Sequence, residues 1–213
     1  MTGIARDSTI LAGPNCPTWS YKGPNTRAVA DMNGPRVSTH EIGESASSDT
    51  RRLLSSLGDE LPAPITYPVL VVLNGLPGTG KSYFARQIAE RVPLAVLESD
   101  ALRKVLVPSP GYTARENTRL FRALHEMIEL LLARDVPVLL DATNTRESHR
   151  ENLYEIARWH GARAMPVLLD APEATVRQRL ERRMNESPRG DSSDAGWPVY
   201  RRLLAAWEPI GRE

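Results

Sequence analysis

Val69-Leu70-Val71-Val72-Leu73-Asn74-Gly75-Leu76-Pro77-Gly78-Thr79-Gly80-Lys81-Ser82 is an apolar run followed by Gly-x-x-x-x-Gly-Lys-Ser. The second half is the phosphate-binding P-loop pattern, placed after a strand-like segment and before a helix-like one, as that loop requires. Gly75, Gly78 and Gly80 let the backbone turn tightly, so that successive N–H groups point inward at phosphate oxygens. The helix expected over Lys81–Arg91 adds the positive end of its dipole. Lys81 supplies a mobile cation for the β- and γ-phosphates, and the Ser82 hydroxyl is placed to ligate Mg²⁺. The nucleotide-binding stretch therefore runs through Gly75, Leu76, Pro77, Gly78, Thr79, Gly80, Lys81, Ser82 and Tyr83.

Outward from this loop the chain alternates between strand and helix. Short apolar runs predict strands at Tyr67–Leu73, Leu94–Leu97, Val136–Leu140 and Ala164–Leu169. None alternates with polar residues, as expected of a parallel sheet covered on both faces. Helices are expected at Lys81–Arg91, Asp100–Val105, Arg115–Arg134, Glu147–His160, Pro172–Asn185 and Trp197–Trp207. In the third, Leu120, Leu124, Met127, Ile128, Leu131 and Leu132 form one apolar stripe. Pro172 suits a first helical turn, and Asn144 with Glu147 reads as a capping box. The reading is a doubly wound α/β domain with ligands at the carboxyl ends of its strands.

That rule directs attention to the residues just beyond each strand. After the second comes Ser99-Asp100-Ala101-Leu102-Arg103. Asp100 is suited to take the proton of an attacking hydroxyl, and Arg103 to orient an acceptor or its phosphate. The competing reading is that Ser99 or Asp100 merely caps the helix. After the third strand comes Asp141-Ala142-Thr143-Asn144. An aspartate at this place beside a P-loop holds Mg²⁺, directly or through water. Thr143 and Asn144 offer short polar groups for substrate, with Asn144 as a pure helix cap the alternative. After the fourth strand comes a helix rich in arginine: Arg177, Arg179, Arg182 and Arg183, then Arg189-Gly190-Asp191. A basic run is ordinarily a solvated face. In a phosphoryl-transfer enzyme, arginines on a hinged lid stabilise charge on the γ-phosphate, and Arg179 and Arg183, four apart, share one face.

Composition sets the outer bounds. Of 213 residues, 41% are hydrophobic and 25% charged, the usage of a globular protein. The single cysteine, Cys16, leaves no partner for an intramolecular disulfide and fits a reducing cytoplasm. No apolar run approaches the ~20 residues that span a bilayer, so no membrane partner is expected. A net charge of +1 does not by itself call for nucleic acid. His40, His125, His149 and His160 lack metal-site spacing. Residues 1–64 are read as an irregular, largely disordered leader, because Gly13-Pro14-Asn15, Gly23-Pro24-Asn25, Asn33-Gly34-Pro35 and Ser45–Ser48 are turn formers with few periodic apolar positions. A short helix over Asp49–Leu57, with Leu53, Leu54 and Leu57 on one face, is the exception. Residues 65–213 form the second unit, with a lid over 172–196.

The motifs Gly-x-x-x-x-Gly-Lys-Ser, Ser-Asp-x-x-Arg, Asp-Ala-Thr-Asn and Arg-x-x-x-Arg, in this order, resemble the P-loop kinase group of polynucleotide 5′-hydroxyl kinases, zeta toxins, chloramphenicol phosphotransferase and proteins described as AAA-type ATP-binding. The resemblance covers about Thr66 to Glu208 and implies a three-layer P-loop NTPase fold around a parallel sheet, with ATP and Mg²⁺ as cofactors. It implies Asp100 as general base, Arg103 on an acceptor-side phosphate, Lys81 and Ser82 on ATP phosphates and Mg²⁺, and Arg179 and Arg183 in a lid. Such kinases usually add a strand after the lid. Here the chain ends at Glu213, so the sheet is expected to lack its final strand. The function expected is transfer of the γ-phosphate of ATP to a hydroxyl acceptor, either a polynucleotide 5′-hydroxyl or a small molecule. The alternative is an ATP-binding module without acceptor chemistry of its own. A mechanical AAA-type ATPase finds neither a sensor arginine nor a second small helical domain.

Overall fold

The computed structural model describes residues 37–186 and 195–210. Its elements, in chain order, are β1 (Val37–Ser38), α1 (Thr39–Gly43), α2 (Ser48–Ser55), β2 (Glu60–Leu61), β3 (Val69–Asn74), α3 (Lys81–Ala89), β4 (Ala95–Glu98), α4 (Ser99–Leu106), α5 (Ala114–Leu132), β5 (Val138–Asp141), α6 (Glu147–Trp159), β6 (Arg163–Leu168), α7 (Glu173–Glu186) and α8 (Trp197–Ala205). All four strands and six helices expected beyond Thr66 are present, with no end shifted by more than two residues.

Strands β3 to β6 form a parallel sheet in the order β4-β5-β3-β6. Leu70 and Val72 of β3, with Leu97, Val138 and Leu140, face a layer drawn from α1, α2, α4, α5 and α6. Val71, Leu73 and Leu139, one residue out of step, face Ala85, Phe84 and Ile88 of α3. The two-residue period thus sends successive side chains into two different cores, which is why the central strands read as unbroken apolar runs. The result is the three-layer α/β fold of P-loop NTPases. Helix α5 supplies much of one layer: all six residues of its predicted stripe are at most 1% exposed. Its start is fixed by a capping arrangement with no counterpart among the sequence expectations. Thr113 Oγ1 accepts the Glu116 N–H at 3.2 Å, and the Glu116 carboxylate accepts the Gly111 and Tyr112 N–H groups at 3.0 and 2.9 Å.

Among the described residues β6 is one edge of the sheet. The N–H groups of Arg163 and Leu169 donate to Pro68 and Asn74 of the neighbouring β3 side, so by alternation residues 164, 166 and 168 turn theirs outward. Pro166, in the middle of that free edge, has no N–H to offer. Among the described residues no further strand comes after α8.

The irregular leader requires correction over part of its length. Its first 36 residues, with Cys16, lie outside the described residues. From Val37 onward the backbone is ordered into β1, α1, α2 and β2, with β1 and β2 pairing antiparallel. Ile42, Leu53 and Leu54 are at most 1% exposed and join the same core as α5. The expected helix is there as Ser48–Ser55, and Leu57 packs against the core just beyond it. Long-range polar contacts secure this layer: the Glu126 carboxylate of α5 accepts the Ser47 N–H at 2.8 Å and the Thr50 hydroxyl at 2.7 Å.

Candidate functional site

Strand register assembles the site. Leu73, Asp141 and Glu98 stand side by side at the carboxyl ends of β3, β5 and β4. The next residues along these three chains are the P-loop, the 142–146 loop and the first turn of α4. One edge of the sheet therefore gathers Lys81, Ser82, Asp141, Thr143, Asp100 and Arg103.

The P-loop glycines answer to space as well as to backbone angle. Gly75 has φ +148°, and a Cβ there would collide with the Leu169 carbonyl oxygen and come within 2.9 Å of Thr79 Oγ1. Gly78 has φ +83°, and its Cβ would stand 3.0 Å from Val176 and 3.1 Å from Leu180 on α7. The Leu76 carbonyl holds the loop in its arch, accepting from Thr79 Oγ1 at 2.9 Å and from Lys81 Nζ at 3.1 Å. Burial pushes the Lys81 ammonium below the usual lysine pKa; the Asp141 and Asp100 charges oppose the shift and that of Arg183 reinforces it. Tyr83, one turn into α3, is 65% exposed.

Asp141 is 4% exposed, and burial raises its carboxyl above the usual range against a hydrogen bond from Ser82 and the charge of Lys81. Its Oδ2 is buried with no hydrogen-bond partner. An anionic oxygen left in that condition is costly, and beside a serine hydroxyl it fits a hard divalent cation such as Mg²⁺. Among the described residues no group of three His, Cys, Asp or Glu side chains could hold a metal by itself. Ser82 and Asp141 would therefore share the ion with phosphate oxygens and water.

The first turns of α4 have a different character. Ser99 and Asp100 lie inside α4, whose N-cap is Glu98 with no side-chain cap bond, so neither merely caps the helix. Arg103, one turn on, is 6% exposed; its Nε and Nη1 are buried without partners, and its guanidinium lies 5.0 Å from the centre of the Tyr112 ring.

Helix α7 stands against the P-loop. Val176 and Leu180 pack with Leu76 and with Tyr200 of α8, and Arg179 Nη1 donates to the Gly78 and Thr79 carbonyls at 3.2 and 3.4 Å. The charge of Arg183 is felt at Lys81. Arg177 turns away, bonded to Glu181 at 2.8 Å. The stretch Arg189-Gly190-Asp191 lies outside the described residues.

The capping box expected of Asn144 and Glu147 does not form. The N-cap of α6 is Arg146, and Asn144 adopts a left-handed φ of 49° while its Nδ2 donates to the Leu73 carbonyl at 2.9 Å. The Glu147 N–H is bonded instead by the Glu208 carboxylate, at 2.6 Å. Asn144 is thus a staple between two strand ends, and the carbonyl of Thr143 beside it accepts the Gly75 N–H at 3.4 Å.

An AAA domain family model (AAA_33) matches residues 70–210, about two thirds of the chain. The chain belongs to this AAA domain family. Among solved structures, this AAA domain is similar to a chain of the Pnkp1/Rnl/Hen1 RNA repair complex, with TM-score 0.56 and 20% identity. The match covers 69% of the chain and 49% of that one, so the protein spans about half the length of that relative. It is also similar to Chaetomium thermophilum Kti12 in complex with ADP-AlF3, with TM-score 0.51, 24% identity, and coverage of 66% and 80%. What the chain shares with both is the three-layer α/β fold.

Two residues around the site of this AAA domain escape sequence reading. Tyr112 sits in a loop with no periodic signal. Arg150 is 1% exposed, and the sign that could have found it is its place in the buried register of α6, with Leu153 and Ala157.

Proposed function

We propose that the protein is an ATP-dependent, Mg²⁺-assisted kinase that transfers the γ-phosphate to a hydroxyl whose molecule carries an anionic group nearby. The observation that carries this reading is Arg103: a buried guanidinium with two unpartnered nitrogens, one helical turn from Asp100. A nucleotide-hydrolysing switch has no use for such a group, whereas an anionic acceptor satisfies it. In the reading, the acceptor oxygen bonds to the γ-phosphorus as the bond from that phosphorus to the β–γ bridging oxygen breaks. Asp100 takes the acceptor's proton. The P-loop N–H groups, Lys81, Arg179 and Arg183 hold and neutralise the phosphoryl oxygens. Mg²⁺, held by Ser82 and Asp141, supplies further charge neutralisation when bound.

A polynucleotide 5′-hydroxyl and a small phosphorylated metabolite both meet this description. The likeness to an RNA repair complex makes the polynucleotide the first acceptor to try. The test is incubation with γ-labelled ATP and a panel of hydroxyl acceptors, using wild type and Asp100→Ala. The reading expects labelled product from wild type and a loss of at least about a hundredfold in the variant, with ATP affinity nearly unchanged. Equal labelling by Asp100→Ala refutes the assignment of the base. Tight ATP binding with no labelled acceptor favours the binding-module alternative.

A further inference from the structure

The 142–146 loop and the start of α6 are gripped from outside the nucleotide site. Arg150 Nη1 donates to the Asn144 carbonyl at 3.0 Å, and Nη2 to the Pro209 carbonyl at 2.9 Å. Its guanidinium lies 6.0 Å from the centre of the Trp207 ring. Two bonds from Glu208 close the arrangement: its N–H donates to the Thr145 carbonyl, at 3.0 Å, and its carboxylate accepts the Glu147 N–H. Trp207 also joins the apolar cluster of Leu76, Val176 and Leu180 beneath the P-loop. Segment 207–209 therefore ties the loop after Asp141 to the packing that supports α7.

What this clasp holds is a strained element. Asn144 is a non-glycine residue at φ 49°, a conformation that costs free energy and persists where the surroundings determine it. Its carbonyl is fixed by Arg150 and its amide by Leu73, while the neighbouring Thr143 carbonyl meets the Gly75 N–H. Release of Arg150 leaves the Asn144 and Pro209 carbonyls short of a donor and lets the end of β5 shift against the P-loop. Asp141 lies on that end and Ser82 on the other side of the gap.

We propose that Arg150, clasped by Trp207–Pro209, is a positioning residue that sets the spacing of Asp141 and Ser82 and thereby tunes the affinity for the nucleotide-bound divalent cation. This rests on the reading that those two residues hold the ion. It extends that reading to side chains which touch neither nucleotide nor metal.

The test is binding of a fluorescent ATP analogue to the full chain, titrated with Mg²⁺ and repeated in EDTA, alongside thermal melting. Arg150→Met raises the Mg²⁺ concentration for half-maximal binding about tenfold, as loss of a supporting partner does at metal sites, while affinity in EDTA stays within about twofold. Arg150→Lys, able to keep one of the two carbonyl bonds, falls between. Glu208→Ala, a change at an exposed side chain, raises the Mg²⁺ requirement by about threefold and decides the matter if Arg150→Met does not fold. Equal loss of affinity with and without Mg²⁺, or an unchanged Mg²⁺ requirement in Glu208→Ala and Arg150→Lys, overturns the proposal. Failure of the transfer reading is seen separately: wild type that binds Mg²⁺–nucleotide yet labels no acceptor refutes the kinase and leaves the clasp standing.

Discussion

Arg103 and Arg150 lie in the opening turns of the helices that come after two adjacent strands, β4 and β5, and both are more than nine-tenths buried. Arg150 spends its hydrogen bonds on two backbone carbonyls of the fold. Arg103 keeps two nitrogens without a partner and is covered by an aromatic ring. A buried cation whose two terminal nitrogens both meet backbone carbonyls is part of the scaffold; one with two buried nitrogens idle is costly to the scaffold and calls for a ligand. The same side chain therefore reads as structure in one place and as recognition in the other.

Substitution of the two residues breaks or sharpens that contrast. Arg103→Met should lower kcat/KM toward an anionic acceptor by about a hundredfold, near 3 kcal/mol, because a charged hydrogen-bond partner is lost in a dry site. Its thermal midpoint should stay the same or rise, since an unpartnered buried charge is removed. Arg150→Met should do the reverse to the fold, costing about 2–3 kcal/mol in urea unfolding as one buried and one part-buried carbonyl lose their donor. If Arg103→Met proves the less stable of the two, the contrast fails. Tyr112→Ala should cost about 1 kcal/mol in acceptor binding, and Tyr112→Phe should retain most of it, because it is the ring face that meets Arg103. The smallest effect belongs to a third arginine, Arg119, paired with Asp49 at 2.6 Å near the surface. The hydrogen bond and charge from Arg119 hold the Asp49 carboxyl below its ordinary 3.8. A lowered folded-state pKa stabilises above the unfolded value and is lost as pH falls through the folded one. Asp49→Asn should therefore cost only about 0.2–1 kcal/mol at pH 7, a difference that vanishes on acidification below pH ~4.

The legible parts of the chain were those dictated locally. Unbroken apolar runs gave β3 to β6, the stripe from Leu120 to Leu132 gave α5, and the glycines with Lys81 and Ser82 gave the phosphate loop. Asp141, Asp100 and Arg103 come to one edge of the sheet because a parallel sheet places strand ends together. The parts that stayed hidden depend on distant partners. Helix α1 brings only Ile42 to the core, too little for a periodic signal, and the docking of α2, a helix that was itself expected, is secured by Glu126 some 79 positions from Ser47. Asn144 and Glu147 have the spacing of a capping box, yet Glu208 takes the helix N-terminus and frees Asn144 to staple β3 to β5. Arg150 stayed hidden because a charged residue in an amphipathic helix ordinarily faces water.

The contrast meets its most direct test in label transfer from γ-labelled ATP to matched acceptors that differ only in an anionic group beside the hydroxyl, compared between wild type and Arg103→Met. The expected result is strong labelling of the anionic acceptor by wild type, weak labelling of the neutral one, and loss of that preference in Arg103→Met with ATP binding intact. Equal labelling of both acceptors by wild type, or no labelling of either despite tight ATP binding, contradicts it.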